Sequence, residues 1–254
     1  MGVFQYALIL SQYTINMAYT YQDASIIDII NETEKVKRFF IKVPEDVPFS
    51  FKAGQFIMLD LPIDSKYTNR SYSIASAPTP DNIFELCIVL NEKGLGTPLL
   101  WDQYEVGTQI KVSKVLGKFQ LPEIIDRDLC FIGTGTGVAP LRSQIVHILK
   151  NNIPHKNLYL IFGNRWEKDI LYRKEFEELE AEYPSFKFHP VLSRQNEGWK
   201  GKTGYVHSIY EEIFSDQRPA YFYICGWADM LKEARLRLEI LGYEKKAVRF
   251  ESYD

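Results

Sequence analysis

The sequence predicts a fold in two parts, an antiparallel β-barrel followed by a doubly wound parallel α/β sheet. Three features indicate this: six short apolar runs in the first half, alternating strand-like and helix-like segments in the second, and a proline-containing charged stretch between them. The chain has 254 residues, enough for two domains of about 100 to 150 residues each.

The first half is rich in Ile, Val, Phe and Tyr, and its apolar runs are separated by turn residues. In chain order the runs are ASIIDII, VKRFFIKV, GQFIMLDL, RSYSIAS, NIFELCIVL and TQIKVSKV. Short strands at this spacing are typical of an antiparallel barrel or sandwich, and six strands fit a small barrel. We expect this domain to span residues 22–120.

The strand pattern ends at residues 121–128, LPEIIDRD, and a different pattern begins. Residues 128–254 alternate apolar strands with helices, in pairs LCFIG and VAPLRSQIVHILK, LYLIFG and RKEFEELEAEY, FKFHPVLS and YVHSIYEEIF, AYFYICG and ADMLKEARLRLEILG, then KAVRFE. Such alternation predicts repeated βαβ units and a parallel sheet covered on both faces. Ligands of these sheets bind at the carboxyl ends of the strands, so we expect the site in the turns at Gly133, Gly163, Ser193 and Gly226.

Composition narrows the function classes. With 46% hydrophobic and 25% charged residues the chain is typical of a soluble globular protein, and a net charge of -3 gives no electrostatic reason to expect nucleic acid. Cys87, Cys130 and Cys225 lie far apart without a CxxC pair. We therefore expect neither a disulfide framework nor a metal or iron–sulfur site.

The N-terminal segment carries no targeting pattern that we identify. Its apolar patch, FQYALIL, is too short to span a bilayer and has no basic residue ahead of it. We expect a cytoplasmic protein without membrane insertion, with residues 1–21 as an N-terminal extension. Residues 1–16, ahead of Met17, are either an upstream or disordered tail or a structured strand, and both interpretations stay open.

The glycine-rich stretch GTGTGVAP, residues 133–140, follows a predicted strand and precedes a predicted helix. Free backbone N–H groups and the helix dipole at such a turn favour an anion such as a pyrophosphate, and Pro140 is tolerated in the first helical turn. The spacing differs from the dinucleotide fingerprint GxGxxG. A tight turn that uses glycine for unusual backbone angles is the alternative.

The strand RSYS in the first half offers groups suited to a flavin nucleotide. Alternation along the strand places Arg70 and Tyr72 on one face and Ser71 and Ser73 on the other. Arginine binds phosphate through two nitrogens, a tyrosine ring stacks on a flat ring and a serine hydroxyl donates to a ring nitrogen. An ordinary strand with a cation–aromatic pair is the alternative.

A second glycine loop in this half, GLGTPLL, precedes a short predicted helix that begins near Pro98. Backbone N–H groups of Gly94 and Gly96 could bind a second phosphate, with Thr97 capping the helix and contacting the same anion. A β-turn followed by a helix cap explains the loop equally well.

Six motifs resemble, in their order along the chain, those of the ferredoxin-NADP reductase superfamily over residues 22–254. They are RSYS, GLGTPLL, GTGTGVAPLRS, FGNR, VLSR and ICGWADML. The resemblance implies an FAD-dependent oxidoreductase that transfers a hydride between NADPH and flavin and exchanges single electrons with a ferredoxin or flavodoxin. Because the chain lacks the four-cysteine iron–sulfur module of some relatives, the carrier is expected to be a separate protein, and the reductase a monomer.

The resemblance also implies which residues hold the flavin. In the family, the arginine of RxYS binds the flavin pyrophosphate, the tyrosine packs on the isoalloxazine ring and the serine bonds near N5; here these are Arg70, Tyr72 and Ser73, with Ser71 in the same site. A loop for the second phosphate favours FAD over FMN. The adenine side and pyrophosphate would be held by Ile88, Val89, Gly94, Gly96 and Thr97.

For the second cofactor, the resemblance implies that the glycine turn binds the pyrophosphate of NADP(H). A cysteine after the fourth strand lies beside nicotinamide C4 in the family, which assigns a catalytic role to Cys225 alongside Ser73; without the resemblance a buried, inert thiol is an equal alternative. The expected dinucleotide contacts are Gly133, Thr134, Gly135, Thr136, Gly137 and Gly226.

The choice between NADP(H) and NAD(H) is expected to depend on the turn VLSR. Ser193 and Arg194 resemble the pair that binds the 2′-phosphate of NADP, and no acidic residue directly follows this strand to favour a free ribose hydroxyl. We therefore expect NADP(H). The downstream GWKGKTGYV is more similar to NADH-using oxygenase reductases, and the cations Arg165 and Lys202 either reach the phosphate or remain solvated.

The C-terminal residues have expected roles of their own. The resemblance implies that Tyr253 stacks on or gates the flavin and that Glu251 relays a proton, while a frayed tail ending at Asp254 is the competing interpretation. Two other functions stay open: an NADH-dependent reductase component of a multicomponent oxygenase, or a reductase of free flavin or small acceptors. A non-catalytic flavin- and nucleotide-binding subunit is a further alternative.

Overall fold

The computed structural model describes residues 20–63, 66–194 and 197–253, which form two β-sheets, one in each half of the chain. The expected extension before residue 20, including residues 1–16, lies outside these residues, as does Asp254. Strand β1 already begins at Tyr21. None of the helices within the described part of the chain is long and apolar enough to cross a membrane.

The first sheet is the predicted six-stranded antiparallel barrel. Its strands follow the order β4-β3-β6-β1-β2-β5, and a bridge between Ile74 and Leu86 joins the end of β4 to β5 and closes the sheet. The helix α1, Gly96–Gln103, connects β5 to β6. The strands are β1 Tyr21–Thr33, β2 Val36–Lys42, β3 Phe56–Ile63, β4 Lys66–Ser73, β5 Ile83–Val89 and β6 Gln109–Ser113.

Alternation of side chains explains the barrel core. Along β3, the inward residues Ile57, Leu59 and Leu61 are each no more than 1% exposed, while the residues between them are partly exposed. They pack with Phe39 and Phe84 from β2 and β5. Burial therefore alternates residue by residue along the strand, with the same period of two that identified these strands in the sequence.

The second sheet is parallel throughout, in the order β10-β9-β8-β7-β11-β12, which confirms the doubly wound prediction. Its strands are β7 Asp128–Thr134, β8 Leu158–Asn164, β9 Phe186–Leu192, β10 Lys202–Thr203, β11 Ala220–Gly226 and β12 Val248–Ser252. Its helices are α2 Val138–Lys150, α3 Arg173–Glu182, α4 Val206–Ile213 and α5 Ala228–Ile240. The two-residue β10 has too little pattern to be predicted.

The strand order reverses between β7 and β11. The chain builds outward from β7 through β8 and β9, then returns to add β11 on the other side of β7. At such a switch point the connections on either side lead to opposite faces of the sheet and leave a crevice for a ligand. Two of the predicted glycine turns of this half, GTGTG and ICG, end strands at this crevice.

The barrel packs on the face of the parallel sheet that carries α2 and α3. One continuous apolar cluster contains residues of both halves, including Ala75 and Cys87 from the barrel, Ile145 from α2 and Phe176 from α3. The opposite face has a separate cluster with α4 and α5.

Gly54 tests how tightly the halves fit. It has a φ of 91°, and an added Cβ would overlap the Phe119 carbonyl oxygen and the Gln144 amide of α2. We expect Gly54→Ala to lower the free energy of unfolding by about 2 to 5 kcal/mol, from backbone strain plus overlap. Urea denaturation measures it. Gly107→Ala is the matched control, because Gly107 has a φ of 95° with nothing within 4 Å; equal losses in the two variants would contradict the close packing.

Candidate functional site

The GTGTG and ICG turns touch each other at the switch point. Gly133 and Thr134 end β7, Gly135–Gly137 forms a 3-10 turn, and α2 follows directly. A Cβ on Gly137 would lie 2.5 Å from the Cys225 carbonyl oxygen, and one on Gly226 would overlap the Thr134 hydroxyl. The two turns therefore require glycine and present backbone, with the N–H groups at the start of α2, to the crevice.

The RSYS strand and the GLGTPLL loop also meet. Arg70 and Tyr72 lie opposite Leu59 and Ile57 of β3, so they share one face of β4 as expected. A Cβ on Gly96 would lie 3.3 Å from Arg70 Cγ and 3.4 Å from its Nε. The arginine stem thus crosses directly over the loop. Tyr72 is partly buried against the barrel core, and burial raises its pKa to about 12.

Other predicted residues of this loop have different surroundings from those expected. Helix α1 begins at Gly96 without a side-chain cap, so the prediction that Thr97 caps it is wrong. The Thr97 hydroxyl instead accepts from the Asn91 N–H at 2.8 Å and donates to the Asn91 carbonyl at 3.2 Å, because it reaches back across the turn. Ile88 is 2% exposed in the barrel core, whereas Val89 is 43% exposed; of these two predicted contacts, only Val89 offers exposed surface.

A polar contact joins the two halves beside the ICG turn. Ser73 Oγ of β4 donates to Glu251 Oε2 of β12 at 3.3 Å, and Glu251 lies opposite Cys225 in the pairing of β11 with β12. The Tyr253 N–H donates to the Gly226 carbonyl at 3.0 Å. The structure thus brings together Ser73, Cys225, Glu251 and Tyr253, which are far apart in the sequence.

Burial controls the charges in this cluster. It raises the pKa of Glu251 from 4.5 to about 7, an effect that the Ser73 hydrogen bond partly opposes. Burial likewise raises the pKa of the Cys225 thiol well above its usual range. Near neutral pH, Glu251 therefore exchanges a proton readily while Cys225 keeps its own.

Some buried oxygens lack a hydrogen-bond partner, and two of them lie at this crevice. Within the described residues, Thr68 Oγ1, Thr134 Oγ1, Gln144 Oε1 and the Tyr253 hydroxyl are buried without a hydrogen-bond partner. Thr134 ends the glycine turn, Tyr253 lies beside Cys225 and Glu251, and Thr68 precedes Arg70 by two residues on the same face. Buried polar groups are normally hydrogen-bonded, so this arrangement fits bound cofactors that supply the missing partners. Thr68 was missed from the sequence, although it shares the alternation of Arg70 and Tyr72.

The predicted specificity residues lie at the neighbouring strand ends. The Ser193 and Arg194 N–H groups donate to the Asn164 and Arg165 carbonyls at 3.0 and 2.9 Å, which ties the VLSR turn to the FGNR turn. Both side chains are exposed. Two strand spacings, about 10 Å, separate β9 from β7. This is a suitable offset for the far end of a dinucleotide whose phosphates lie at GTGTG.

The other candidate cations differ in their environment. Lys202 Nζ lies 3.3 Å from Glu212 Oε2 of α4, so its charge already has a partner. Arg165 lies next to Arg194, because its carbonyl accepts the hydrogen bond from the Arg194 N–H. The Arg194 guanidinium lies 5.9 Å from the Trp166 ring centre, which leaves its nitrogens available on the surface.

Comparisons with known proteins agree with this geometry. Residues 23–121 match the oxidoreductase FAD-binding domain family, and residues 131–236 match the oxidoreductase NAD-binding domain family. The protein is therefore an oxidoreductase flavoenzyme that binds FAD and a nicotinamide dinucleotide.

Curated relatives identify the family. The chain is 34% identical over 213 residues to ferredoxin--NADP reductase B of Sorangium cellulosum, covering 81% of this chain and 86% of that protein. It is 30% identical to the phenol hydroxylase P5 protein of Acinetobacter pittii, covering 83% of this chain and 59% of that protein. The chain belongs to the ferredoxin-NADP reductase superfamily, as its motif order predicts.

Solved structures share the fold. A ferredoxin NADP+ reductase from Neisseria gonorrhoeae with bound FAD and NADP superposes with a TM-score of 0.79 at 24% identity, covering 91% of this chain and 98% of that one. The Amycolatopsis cytochrome P450 reductase GcoB gives a TM-score of 0.83 at 24% identity, covering 92% of this chain and 70% of that one.

The raised pKa of Glu251 predicts a pH-dependent stability. A carboxyl whose folded pKa is about 7, against 4.5 ordinarily, stabilises the fold below pH 4.5 relative to higher pH, and this contribution is lost as the pH rises through 7. Glu251→Gln does not titrate. We expect its free energy of unfolding to rise relative to the natural protein between pH 4.5 and 8, by up to about 3 kcal/mol.

Chemical denaturation at several pH values measures this difference. Glu92→Gln is the control, because the Glu92 side chain is 65% exposed and stays in water in both states. Parallel curves of unfolding free energy against pH for Glu251→Gln and the natural protein would show that the pKa of Glu251 is not raised.

Proposed function

We propose that the protein transfers a hydride between NADPH and FAD and exchanges single electrons with a separate ferredoxin, flavodoxin or similar carrier. The observation that carries the proposal is the Ser73–Glu251 contact, which joins the RSYS strand to the strand paired with Cys225. The bound cofactors supply the redox chemistry, and the protein contributes position, orientation and exclusion of water.

On the flavin side, we assign residues 22–120 to FAD binding. Arg70 and the N–H groups around Gly96 are suited to phosphates. The buried hydroxyl of Thr68 lies two residues before Arg70 on the same face of β4 and would donate to the chain between the phosphates. Tyr72 offers a partly buried ring face, and Ser73 offers a hydroxyl at the meeting point of the halves. The predicted contacts at Val89 and Gly94 border the same loop.

On the nucleotide side, we assign residues 128–254 to NADP(H). Residues 133–137 would hold the pyrophosphate at the start of α2, and the unpaired Thr134 hydroxyl would donate to a cofactor atom in the crevice. Cys225 lies at the carboxyl end of β11 as a neutral thiol, where it would limit the approach of the nicotinamide. Tyr253, whose N–H donates to the Gly226 carbonyl, would stack on or gate the flavin.

Glu251 and Ser73 would handle a proton at this point. A carboxyl with a pKa of about 7 is an effective proton donor or acceptor at neutral pH. Its Oε2 is within hydrogen-bond distance of Ser73 Oγ, so a proton can pass from the carboxyl through the hydroxyl toward the flavin edge of the site. We propose that these two residues form the relay.

The choice of NADPH rests on the VLSR turn. Arg194 is an exposed cation at the strand end where the adenosine ribose would lie, and Ser193 lies beside it. The relative at 34% identity is named for NADP. The protein would act as a cytoplasmic monomer, with its electron carrier a separate chain.

A second candidate is an NADH-dependent reductase component of a multicomponent oxygenase. The similarity to the phenol hydroxylase P5 protein and the segment GWKGKTGYV favour it. A further relative, 29% identical and covering 87% of this chain and 77% of itself, is named NADH-cytochrome b5 reductase 1 of Dictyostelium discoideum. The two candidates differ in their dinucleotide, which makes them separable by kinetics.

Reduction of the bound flavin tests the proposed function directly. Purified protein loaded with FAD is mixed anaerobically with NADPH or with NADH, and the visible absorbance is followed by stopped flow. We expect NADPH to bleach the flavin at a rate and an affinity that exceed those of NADH. A protein reduced only by NADH would favour the oxygenase-reductase candidate, and one reduced by neither would contradict both.

Substitution of Arg194 tests the specificity turn. Loss of one charge-assisted contact to a phosphate predicts a fall of about 10- to 100-fold in kcat/KM for NADPH in Arg194→Ala, with kcat/KM for NADH nearly unchanged. Lys202→Ala is the matched control, since Lys202 is already paired with Glu212. If both variants keep the original ratio of kcat/KM values, the 2′-phosphate does not bind at this turn.

A further inference from the structure

A buried carboxylate joins the barrel to the α/β half. Glu85 of β5 is 2% exposed. Its Oε1 accepts hydrogen bonds from Arg38 Nε and the Tyr172 hydroxyl, both at 2.6 Å. Its Oε2 accepts from Arg38 at 3.1 Å and from Arg142 of α2 at 3.2 Å. Arg38 belongs to the barrel, whereas Arg142 and Tyr172 belong to the other half.

Both the ring and the backbone of Tyr172 contact charged side chains. Its ring lies between two guanidinium groups, with the Arg38 carbon 4.7 Å and the Arg142 carbon 4.4 Å from the ring centre. Its N–H donates to Glu32 Oε1 of β1 at 2.7 Å, and its backbone adopts a left-handed φ of 53°. A non-glycine residue keeps this strained angle only where its surroundings over-determine it.

We call Glu32, Arg38, Glu85, Arg142, Tyr172 and Glu175 the interface cluster. Glu175 of α3 completes it by accepting two hydrogen bonds from Arg142, at 2.7 and 2.9 Å. Such a cluster adds little net stability over a well-packed apolar contact, but removing one partner leaves a buried charge uncompensated. Its hydrogen bonds are directional, so they fix how the halves are oriented in a way that apolar packing does not.

The cluster is connected to both sides of the candidate site. Arg142 lies on α2, the helix that starts at the GTGTG turn, and its NH1 donates to the Ala75 carbonyl at 2.7 Å. The next residue, Ser143, donates to the Ser76 carbonyl at 2.6 Å. Ala75 and Ser76 follow Ser73 by only two and three residues, about 10 Å of extended chain at most. Helix α2, which follows the GTGTG turn, is thus hydrogen-bonded to the segment that directly follows the RSYS strand.

We propose that Glu85 is a positioning residue for hydride transfer. It fixes the distance and tilt between the barrel and the α/β half, and so the approach of Ser73 to Cys225 and Glu251, without contacting a cofactor itself. The proposal rests on the proposed function, since it concerns the geometry in which the hydride moves. Misplacement of reacting groups by about 1 Å is enough to slow a reaction by about 100-fold.

Glu85→Gln keeps the shape of the side chain and removes its charge. We expect the anaerobic rate of flavin reduction by NADPH to fall by about 10- to 100-fold, with the affinities for FAD and NADPH within a few-fold of the natural protein. Tyr172→Phe removes one hydrogen bond to Glu85 and keeps the ring between the two arginines, so we expect a smaller decrease in the same direction. FAD titration of the apoprotein and stopped flow measure these quantities.

Asp128→Asn is the matched control. Asp128 is also a buried carboxylate, 4% exposed and paired with Arg218 at 2.9 Å, but it begins β7 at the end of the strand opposite the site. We expect this variant to lose thermal stability while reducing flavin at the natural rate. A purely structural role for Glu85 predicts the same pattern for Glu85→Gln.

Cys87 provides a readout that does not depend on activity. It is 5% exposed, lies two residues after Glu85 and packs in the apolar cluster shared by both halves. We expect hydrogen–deuterium exchange to label the peptide that contains Cys87 faster in Glu85→Gln than in the natural protein. A thiol reagent would not be suitable, because burial and also the Glu85 charge itself raise the pKa of the Cys87 thiol. Labelling of the peptide that contains Cys130, buried in the other face of the parallel sheet, should stay unchanged.

The outcomes separate the proposal from the function on which it rests. Normal flavin reduction in Glu85→Gln, or slowed reduction with unchanged labelling of the Cys87 peptide, overturns the positioning role while the proposed function stands. Failure of the natural protein to be reduced by either nicotinamide overturns the function and the proposal with it. If Glu85→Gln cannot be purified, Tyr172→Phe decides: slowed reduction supports the role, and an unchanged rate overturns it.

Discussion

The burial of the Glu85 charge is the constraint on which the relation between the two halves depends. A carboxylate taken out of water must be matched by nearby cations and donors, and here they come from both halves: Arg38 from the barrel, Arg142 and Tyr172 from the α/β part. Separating or sliding the halves would leave part of this charge unpaired. The Ser73–Glu251 contact crosses the same boundary, so the two sets of contacts are made together in this arrangement of the halves.

The close approach of two backbones at the switch point explains why the glycine turn departs from GxGxxG. In this fold the turn after β7 packs directly against the turn after β11, and Gly137 leaves no space for a Cβ next to the Cys225 carbonyl. Contact between the two turns is therefore enough to require glycine at position 137, apart from any phosphate. Thr134, at the start of the same turn, adds a buried hydroxyl that has no hydrogen-bond partner.

The sequence was sufficient for those features that depend on local pattern. Alternating residues predicted the barrel strands, and strand–turn–helix succession predicted the parallel sheet and the crevice at Gly133 and Gly226. It failed where a residue's role depends on distant partners. Thr97 had the residue type of a helix cap, yet its hydroxyl binds Asn91. Glu85, inside the apolar run FELCIV, gave no indication that its partners would come from positions 142 and 172.

The same dependence on distant partners applies to the acid–base chemistry of the site. Glu251 lies on β12, the edge strand of the parallel sheet, where a carboxylate would ordinarily face water and keep a low pKa. Its pKa rises to about 7 because it is buried in the folded protein, and the hydrogen bond that it accepts from Ser73 of the barrel partly opposes this rise. The proton affinity of Glu251 is thus a property of the assembled halves and of neither half alone. The contacts that orient the two halves therefore also set the surroundings of Glu251, and the proposed role of Glu85 implies that a change there would alter the proton affinity of Glu251 as well as the rate of hydride transfer.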